Sequence, residues 1–414
     1  MSARSPIETR PDSSSSRGVE AARTAVRPIR IAQVATTAAS IRYLLTDHIQ
    51  RLTDEGYDVE AVCAPDDNLP KVERAGIRVR LIPFEREPSP RADLKTLLAL
   101  RALFRERRYH VVHSHTPKAG LLAPLAGRLA GTPVVLHTVH GLLFHDRSPW
   151  QNKLLGGACE LWTAKLAHRL LSQSREDIDV VRRVHFKRAD AVDYIGNGID
   201  IARFSPDVAA RAREATRAAL GIAPGEVVVG MVGRLVREKG FVEFFEAMRR
   251  AMAARSVVRT LIVGPNDKGQ SDGLNPETFA ATLDPARTTW LGHRDDLPEL
   301  YAAMDVFALP SYREGIPRTL MEASAMGLPV VASNIRGCRE VLKDGVTGIL
   351  VEPRTVEPLA EAVLRLADDA SLRARLGAAG RAHIVAAFDA PVVLDRLAAY
   401  YRRIVQDLGP EVWR

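Results

Sequence analysis

Two glutamates stand eight positions apart in the stretch SYREGIPRTLMEASAMGLPVV, which covers residues 311–331. The pattern predicts a helix over residues 317–326, so that Glu314 lies in the loop before the helix and Glu322 lies on it. A helix N-terminus favours an anion such as a phosphate, because its first amides have no partner within the helix. Carboxylates beside such a site suit hydroxyl groups. The segment therefore predicts a diphosphate held between a sugar hydroxyl at Glu314 and a ribose hydroxyl pair at Glu322.

A second stretch supplies cations for the same site. GMVGRLVREKGFVEFFEAM, residues 230–248, ends a strand at a glycine and then offers Arg234 and Lys239 before the next helix. Two cations at the carboxyl end of a strand, opposite an anion-binding helix, suit a departing diphosphate. Two glutamates taken alone are more often solvated charges, so the combination of both stretches is what indicates a site. The amides expected to face the diphosphate are those of Gly315, Ile316, Thr319 and Leu320.

Strands and helices alternate around these stretches. One series runs from IRIAQVA at residues 29–35 to HRLLSQS at 168–174, and a second runs from EVVVGMVG at 226–233 to GILV at 348–351. Such alternation is typical of a parallel, doubly wound α/β sheet. Two such domains in tandem predict a cleft between the carboxyl ends of their strands, where open parallel sheets bind ligands.

The predicted domain limits follow from composition. Residues 1–29 contain SSSS and no long apolar run, so they are interpreted as a disordered tail. Turn residues in YIGNGIDIARFSP, residues 194–206, mark a domain junction. The N-terminal domain is therefore expected to cover 30–200 and the C-terminal domain 201–385, followed by a helical end at 386–414.

The length and composition of the chain agree with two domains, but they exclude few classes of function. The 414 residues exceed the roughly 250–300 that one hydrophobic core serves. The charge balance is 58 − 50 = +8, which suits membrane headgroups, nucleic acid or an anionic substrate alike. Three cysteines without CxxC spacing fit a reducing cytosol. No signal-peptide core or membrane-spanning run is found, so any membrane contact is expected to be peripheral.

Six of the eleven histidines fall within 36 residues of the first domain, which raises the question of a metal site. They are His110, His113, His115, His137, His140 and His145. No cysteine or acidic residue at nearby spacing completes a ligand set. An Asp-x-Asp, Asp177-Ile-Asp179, opens a polar helix instead of closing an apolar strand. We therefore expect no metal and no other cofactor, and hydrogen-bonded histidines at strand ends. His140 follows a strand and precedes Gly141, so it is expected to face the cleft.

After the tail, nearly the whole chain resembles the retaining GT-B glycosyltransferases called family 4. The stretches that carry the resemblance are HSHTPKAG (113–120), HTVHG (137–141), NGID (197–200), VGRLVREKG (232–240), WLGHRDDLPELYAAMDVFALPSYREGIPRTLMEASAMGLPVVAS (290–333) and GCREVLKDGVTGILV (337–351). The resemblance implies two Rossmann-like domains facing a cleft, with the C-terminal helix crossing back to the first domain. It also implies transfer of a sugar from a nucleotide diphosphate donor with retention of anomeric configuration.

The same resemblance implies roles for single residues. Arg234 and Lys239 would hold the donor diphosphate, Glu314 a donor-sugar hydroxyl and Glu322 the ribose, while the backbone near Arg294 would face the base. Two fixed cations and a helix N-terminus can neutralise a departing diphosphate without Mg²⁺. The resemblance further implies that a histidine lies beside the reacting centre of the donor sugar. The predicted catalytic set is therefore His140, Glu314, Arg234 and Lys239.

The acceptor side carries less information. The first βα loop, VATTAASIRYLL, has small residues at 38–40 where the family often has glycines, and no acceptor residue is assigned. Basic residues cluster in 101–110 and 182–188, and 150–171 mixes tryptophans and leucines with lysines. Two interpretations stay open for these segments: contact with anionic membrane lipids that present a lipid-linked acceptor, or ordinary helix faces with solvated side chains.

The prediction from the resemblance is an enzyme that extends a polyprenyl-diphosphate-linked saccharide from a UDP-sugar during exopolysaccharide or lipopolysaccharide assembly. It would act in the cytoplasm, or peripherally on the inner face of the plasma membrane. A UDP-sugar 2-epimerase of the same fold is the first alternative. A basic nucleic-acid-binding protein is the second, although the sequence lacks an RNP, helix-turn-helix or zinc-finger signature, and no nucleic-acid partner is expected.

Overall fold

The computed structural model describes residues 28–409 apart from residues 86, 88, 145–148, 267–271, 276–281 and 408. The predicted tail up to residue 27, His145 and the last residues of the predicted helical end therefore lie outside the described residues. The described chain forms two parallel sheets, each flanked by helices. The predicted α/β class with two doubly wound domains is confirmed.

The first sheet has the strand order β3-β2-β1-β4-β5-β6-β7, and all neighbouring strands are parallel. Its strands are β1 (Arg30–Thr37), β2 (Asp58–Ala64), β3 (Val79–Leu81), β4 (Val111–Ser114), β5 (Val134–Val139), β6 (Arg169–Ser172) and β7 (Val192–Tyr194). The helices of this domain are α1 (Ala38–Ser40), α2 (Thr46–Asp54), α3 (Leu69–Arg74), α4 (Pro90–Arg107), α5 (Pro117–Ala130), α6 (Trp150–Leu166) and α7 (Arg175–Arg183). The strand order reverses between β1 and β4, which is where open sheets of this kind bind ligands.

The second sheet has the order β10-β9-β8-β11-β12-β13, again parallel throughout. Its strands are β8 (Val227–Val232), β9 (Val258–Val263), β10 (Thr288–Trp290), β11 (Val306–Leu309), β12 (Val330–Ser333) and β13 (Ile349–Val351). The described helices are α8 (Pro206–Ala219), α9 (Phe241–Ala254), α10 (Leu297–Ala303), α11 (Arg318–Ala325), α12 (Arg336–Val341), α13 (Glu357–Asp368) and α14 (Ala370–Ala387). Its order reverses between β8 and β11, so the two reversal points supply the loops that face each other.

The central strands are apolar runs because helices cover both faces of each sheet. Every residue of β8 is buried. Val228 and Val232 belong to one core of the second domain, whereas Val229 and Met231 belong to the core on the other face. Successive side chains of a strand point to opposite faces, and strands buried on both faces lose the apolar–polar alternation. This packing fixes the positions of the loops at the strand ends.

The last helix, α15 (Ala390–Asp407), packs on the first domain. Leu397 and Tyr401 belong to the same buried core as Ile31 of β1. An isolated bridge between Ile199 and Asp389 joins the two chain segments that cross between the domains. The crossing back implied by the family resemblance is therefore present.

The first βα connection is not the small-residue loop that the sequence suggested. Strand β1 continues to Thr37, whose hydroxyl accepts a hydrogen bond from the Ser40 amide at 3.2 Å, so that helix α1 begins at Ala38. A π-helical turn over Ile41–Leu45 then joins α1 to α2. Alanine favours a helix and threonine is a good N-cap. The small residues thus build a helix start at the cleft.

Candidate active site

The two sheets face each other across a cleft at the carboxyl ends of their strands. A cavity of about 920 Å³, including the part open to solvent, lies there and falls in the range of ligand pockets, roughly 300–1,000 Å³. Helices α5 and α6 and the loops after β4 and β5 form one wall, and the loops after β8 and β11 form the other. Chemically active lining residues include His115, His140, Glu160, Arg234, Glu238, Lys239, Arg313 and Glu314.

Lys239 and Glu314 form a charged pair in the wall from the second domain. The Nζ of Lys239 lies 2.5 Å from Oε1 of Glu314, and the hydroxyl of Ser311 donates to the same oxygen at 2.7 Å. Gly240, with φ +79°, lets the two loops meet, because a Cβ at that position would lie 2.0 Å from the carbonyl oxygen of Pro310. The two predicted residues are therefore brought together by direct packing of their loops. Charge-assisted hydrogen bonds of this kind are among the stronger ones.

Gly141 and Gly315 bring the backbones of the two domains into contact, and Gly337 packs on Gly315 from within the second domain. A Cβ on Gly315 would lie 2.0 Å from the carbonyl oxygen of His140. A Cβ on Gly141 would lie 2.8 Å from Cα of Gly315, and one on Gly337 would lie 1.9 Å from the carbonyl oxygen of Gly315. Gly141 has φ +115°, a conformation that favours glycine. The loop that carries His140 therefore rests directly on the loop that carries Glu314.

His140 ends a chain of hydrogen bonds that starts on the C-terminal helix. Nε2 of His140 lies 3.1 Å from Nδ1 of His115, whose Nε2 lies 2.6 Å from Oε1 of Gln33. Nε2 of Gln33 donates to the hydroxyl of Tyr401 on α15 at 2.9 Å. The same hydroxyl lies 2.7 Å from Nδ1 of His113. The C-terminal helix thereby helps to hold the orientation of the histidine that lines the cavity.

Burial keeps these imidazoles neutral at pH 7. Burial, followed by the charge of nearby His48, lowers the pKa of His140 to about 4, although a hydrogen bond with Gln173 opposes the shift. Burial also lowers the pKa of His113 and of His115 well below the ordinary value. Both ring nitrogens of His113 and of His115 have hydroxyl, amide or imidazole partners. Among the described residues, no group of three or more histidine, cysteine, aspartate or glutamate side chains is arranged so that it could hold a metal ion.

Glu322 is buried on α11 and does not line this cavity. The hydroxyl of Tyr301 donates to its Oε2 at 3.1 Å, and Nε of Arg318 donates to its Oε1 at 3.2 Å. Burial raises the pKa of Glu322, against the charge of Arg318 and both hydrogen bonds. Arg318 also donates to the carbonyl oxygen of Tyr43 in the first domain at 2.9 Å. The first residue of α11 therefore contacts the first domain.

The remaining residues predicted around α11 divide between the cavity and the core. Gly315 lines the cavity, whereas the side chains of Ile316 and Leu320 belong to the core of the second domain. The carbonyl oxygen of Thr319 accepts a hydrogen bond from Tyr301 at 3.3 Å. The helix begins at Arg318, one residue later than predicted, with the proline before it as the N-cap residue.

Arg234 and Arg294 occupy different surroundings. Arg234, two residues after β8, lines the cavity together with Lys239. Arg294 lies in the loop between β10 and α10, and its guanidinium donates to both carboxylate oxygens of Asp296 at 2.7 Å and 2.5 Å. Its side chain is not part of the cavity lining. The role predicted near residue 294 concerned the backbone, and it stays a prediction.

Three charged residues of the cavity were not predicted. Glu160 on α6 accepts a hydrogen bond from the Leu143 amide at 3.0 Å. Nε of Arg313 donates to Glu238 at 2.7 Å, which places a second ion pair beside Lys239. Arg313 and Glu238 adjoin the predicted residues in sequence, so proximity was an available signal. Glu160 lies inside a helix without a motif, and only the packing of α6 reveals it.

A second group of contacts joins the domains beside the cavity. Arg336 on α12 pairs with the buried Asp177 at 3.1 Å, and Arg339 pairs with Glu176 at 2.6 Å. Asp177 also accepts a hydrogen bond from the Leu142 amide at 3.3 Å. Burial raises the pKa of Asp177 to about 6, against the charge of Arg336. The Asp-x-Asp opens helix α7 as predicted, and its first carboxylate contacts the other domain.

Helix α6 has an exposed apolar face outside the cavity. Trp150, Leu154 and Leu155 are 71%, 67% and 69% exposed, although most large apolar side chains of the protein are buried. Lys165 is exposed on the same helix. In the basic segment 182–188, by contrast, Lys187 turns inward and donates to two backbone carbonyl groups of the α6 region at 2.8 Å and 2.6 Å. In the described part of the chain, no helix has the length and apolar character needed to cross a bilayer.

Known families match both halves of the chain. Residues 212–383 match the glycosyl transferases group 1, and residues 41–198 match the glycosyl transferase 4-like domain. The fold and the two matches define a GT-B glycosyltransferase. The chain belongs to the glycosyl transferases of group 1, as the resemblance of its motifs to family 4 indicated.

Individual relatives cover most of the chain. It is 29% identical over 338 residues to UDP-Gal:alpha-D-GlcNAc-diphosphoundecaprenol alpha-1,3-galactosyltransferase of Escherichia coli, covering 81% of this chain and 87% of the relative. It is 25% identical over 387 residues to N,N'-diacetylbacillosaminyl-diphospho-undecaprenol alpha-1,3-N-acetylgalactosaminyltransferase of Campylobacter jejuni, covering 92% and 100%. The crystal structure of Anabaena HepE in complex with UDP and glucose superimposes with a TM-score of 0.76 at 22% identity, covering 91% of this chain and 100% of that one.

Proposed function

We propose that this glycosyltransferase moves a sugar from a UDP-sugar to a saccharide carried on a polyprenyl diphosphate, with retention of anomeric configuration and without a metal. One observation carries the proposal. Lys239 and Glu314 are bonded to each other at 2.5 Å in a cavity that His140 lines from the opposite domain. A cation for phosphate, a carboxylate for sugar hydroxyls and a neutral imidazole therefore converge on one space.

The positive charges that line the cavity would stabilise the departing diphosphate. Arg234 and Lys239 enter the cavity from the loop after β8, and Gly315 precedes the helix N-terminus at α11. Fixed cations and amide dipoles aimed at developing negative charge stabilise a transition state, because they need little reorganisation. These groups act on the phosphate oxygens, so that the bond from the anomeric carbon to the diphosphate can break. The anomeric carbon forms its new bond to the oxygen of an acceptor hydroxyl group, on the same face of the sugar ring that the diphosphate leaves. The proton of that hydroxyl group passes to the departing diphosphate.

Retention and the absence of a metal are the finer parts of the proposal, and they rest on the family resemblance. The neutral imidazole of His140 can accept or donate a hydrogen bond at the donor sugar without adding charge. Its backbone contact with Gly315 fixes the distance between the histidine and the Glu314 loop. These features support binding of the donor sugar between the two domains.

The names of two relatives support a lipid-linked acceptor, since both enzymes act on sugars joined to diphosphoundecaprenol. The exposed apolar face of α6 supports the same proposal. It lies on the helix whose opposite face lines the cavity through Glu160 and Thr163. A membrane docked on Trp150, Leu154 and Leu155 would present the acceptor headgroup to the cavity from the inner face of the plasma membrane.

Nucleotide-dependent thermal stabilisation tests the donor assignment. UDP, GDP, ADP and their sugar conjugates are compared in the presence of EDTA, and a ligand at one hundred times its Kd adds about 2.7 kcal/mol of stability. We expect a shift with UDP compounds that Lys239→Ala reduces, because Lys239 lines the cavity as a cation for the diphosphate. Glu246→Ala, on the surface of α9, serves as the matched control because that side chain pairs with Arg249 and Arg250, far from the cavity lining. No shift with any uridine nucleotide, or an epimerised sugar released without an acceptor, would contradict the proposal.

A further inference from the structure

The cavity extends beyond the predicted donor residues toward helix α6. At that end its wall consists of Pro117, Leu121, Cys159, Glu160 and Thr163, together with the loop after β5. Most of these side chains are apolar or weakly polar. Glu160 is the carboxylate of this wall, and it is only 8% exposed. A buried carboxylate facing a ligand cavity requires a polar partner, since leaving it without one costs free energy.

The known partner of Glu160 occupies one of its two oxygens. The Leu143 amide donates to Oε1 at 3.0 Å. No described residue donates a hydrogen bond to Oε2. Helix α6 reaches this position because Gly156 packs on Leu143, where a Cβ would lie 3.3 Å from the Leu143 carbonyl oxygen. The backbone contact thus places the carboxyl group at the cavity, and Oε2 has no donor among the described residues.

The cations of the cavity lie on the wall from the second domain, beside the carboxylates of Glu238 and Glu314. Arg234 and Lys239 lie on the wall from the second domain, as expected for a diphosphate, whereas Glu160 lies on the wall from the first domain. A phosphate would be repelled by this carboxylate, whereas a sugar hydroxyl would donate to it. Burial raises the pKa of Glu160 to about 7, and the carboxylate of Asp177 acts in the same direction, against the Leu143 amide and Arg313. The group therefore offers an acceptor oxygen in either protonation state.

We propose that Glu160 binds a hydroxyl group of the acceptor saccharide and so defines an acceptor subsite between α5, α6 and the loop after β5. This inference rests on the proposed function. The apolar residues Pro117 and Leu121 would cover one face of the sugar ring, and Glu160 would fix its rotation. The acceptor would then lie between the exposed apolar face of α6 and the Lys239–Glu314 pair.

Steady-state transfer kinetics test the subsite with a panel of synthetic monosaccharyl diphosphoundecaprenols and a UDP-sugar. Glu160→Gln keeps the oxygen that accepts from Leu143 but loses the carboxylate. We expect its KM for the acceptor to rise about 10- to 100-fold, the range for a hydrogen bond to a charged group. Its affinity for the nucleotide and its rate of donor hydrolysis without acceptor should stay within about twofold of the unsubstituted protein.

A second variant, Glu160→Ala, distinguishes binding of the acceptor by Glu160 from support of the loop that contains Leu143. If Glu160 serves only to hold Leu143, Glu160→Gln will match the unsubstituted protein and Glu160→Ala alone will lose activity, which would overturn the inference. An increase in the nucleotide Kd equal to the increase in acceptor KM would also overturn it, because the residue would then act on the whole cleft. Failure of the unsubstituted protein to glycosylate any acceptor of the panel would instead refute the proposed function.

Discussion

The backbone carbonyl of His140 lies so close to Gly315 that a Cβ atom on residue 315 would be 2.0 Å from the carbonyl oxygen. His140 belongs to the first domain and Gly315 to the second, so their backbones define how far the cleft is closed. No side chain at position 315 fits this arrangement. The contact therefore links the loop that carries Glu314 to the loop that carries the imidazole.

A methyl group at this contact should open the cleft. We expect Gly315→Ala to lower kcat for transfer about 100-fold or more, because misplacement by about 1 Å can have that effect, while the Tm changes little. Gly157→Ala is the control, since its Cβ would meet only the ring of Phe186 at 3.7 Å. Transfer assays and thermal unfolding measure both effects. Full activity of Gly315→Ala would mean that the observed closure is not needed for the reaction.

The pair formed by Lys239 and Glu314 should be required for transfer. Each substitution to alanine should reduce kcat about 10²- to 10³-fold, as observed when one group that stabilises transition-state charge is removed. Lys239→Ala should weaken binding of UDP, whereas Glu314→Ala should weaken binding of the UDP-sugar more than that of UDP. Calorimetric titration with UDP and the UDP-sugar distinguishes the two. An active double variant would end the assignment of this pair to the donor site.

The apolar face of α6 should bind an anionic membrane. The triple variant Trp150→Ser, Leu154→Ser, Leu155→Ser should lower the partition coefficient for vesicles containing phosphatidylglycerol at least tenfold, because each large apolar side chain contributes about 1.5–3 kcal/mol on full burial. Vesicle flotation gives the bound fraction. Val346→Ser is the control, since Val346 is 54% exposed on the second domain. Equal flotation of both variants would favour ordinary solvated helix faces.

The contribution of Glu160 to stability should fall as the pH rises through the neutral range, opposite in sign to that of the buried histidines, whose lowered pKa values make stability rise with pH. The pKa of Glu160 is raised from 4.5 to about 7, so between these values the folded protein holds a proton that the unfolded chain has released. Stability then decreases with increasing pH, by at most roughly 3 kcal/mol for this group. Asp177, with its pKa raised to about 6, acts in the same direction. Thermal unfolding at pH 5 and pH 8 should show that the stability of Glu160→Gln relative to the unsubstituted protein increases with pH, and parallel profiles would contradict the assignment.

Regular elements were predictable where hydrophobic patterning was strong. The strand predicted at 226–233 is β8 at Val227–Val232, because an apolar run bounded by turn residues fits a strand buried on both faces. The apolar stripe of KTLLALRALFRERR, residues 95–108, predicts a helix, and α4 begins earlier, at Pro90, with a proline in its first turn. Strand β7, at Val192–Tyr194, was not predicted, since three residues at a sheet edge carry too little pattern.

The meeting of predicted residues in one cavity was predictable where they lie in a loop at a strand end. Arg234, Lys239 and Glu314 stand beside glycines that break regular patterns, and they meet in one cavity. Glu160 gave no such signal, because a glutamate within an amphipathic helix is usually solvated. Whether it faces water or the cavity depends on the packing of α6 against the loop after β5.

The sequence alone determined the two parallel sheets, the cleft at their carboxyl ends and the presence there of residue types that suit a diphosphate and a sugar. These features depend on the spacing of apolar residues and on loop motifs, which are local properties of the chain. Only the tertiary structure decided the distances across the cleft. The contact of His140 with Gly315 and the exposure of Glu160 to the cavity depend on how two separately folded domains pack. The local sequence around each of these residues does not indicate which distant residue it will contact. Such contacts form only after both hydrophobic cores have formed.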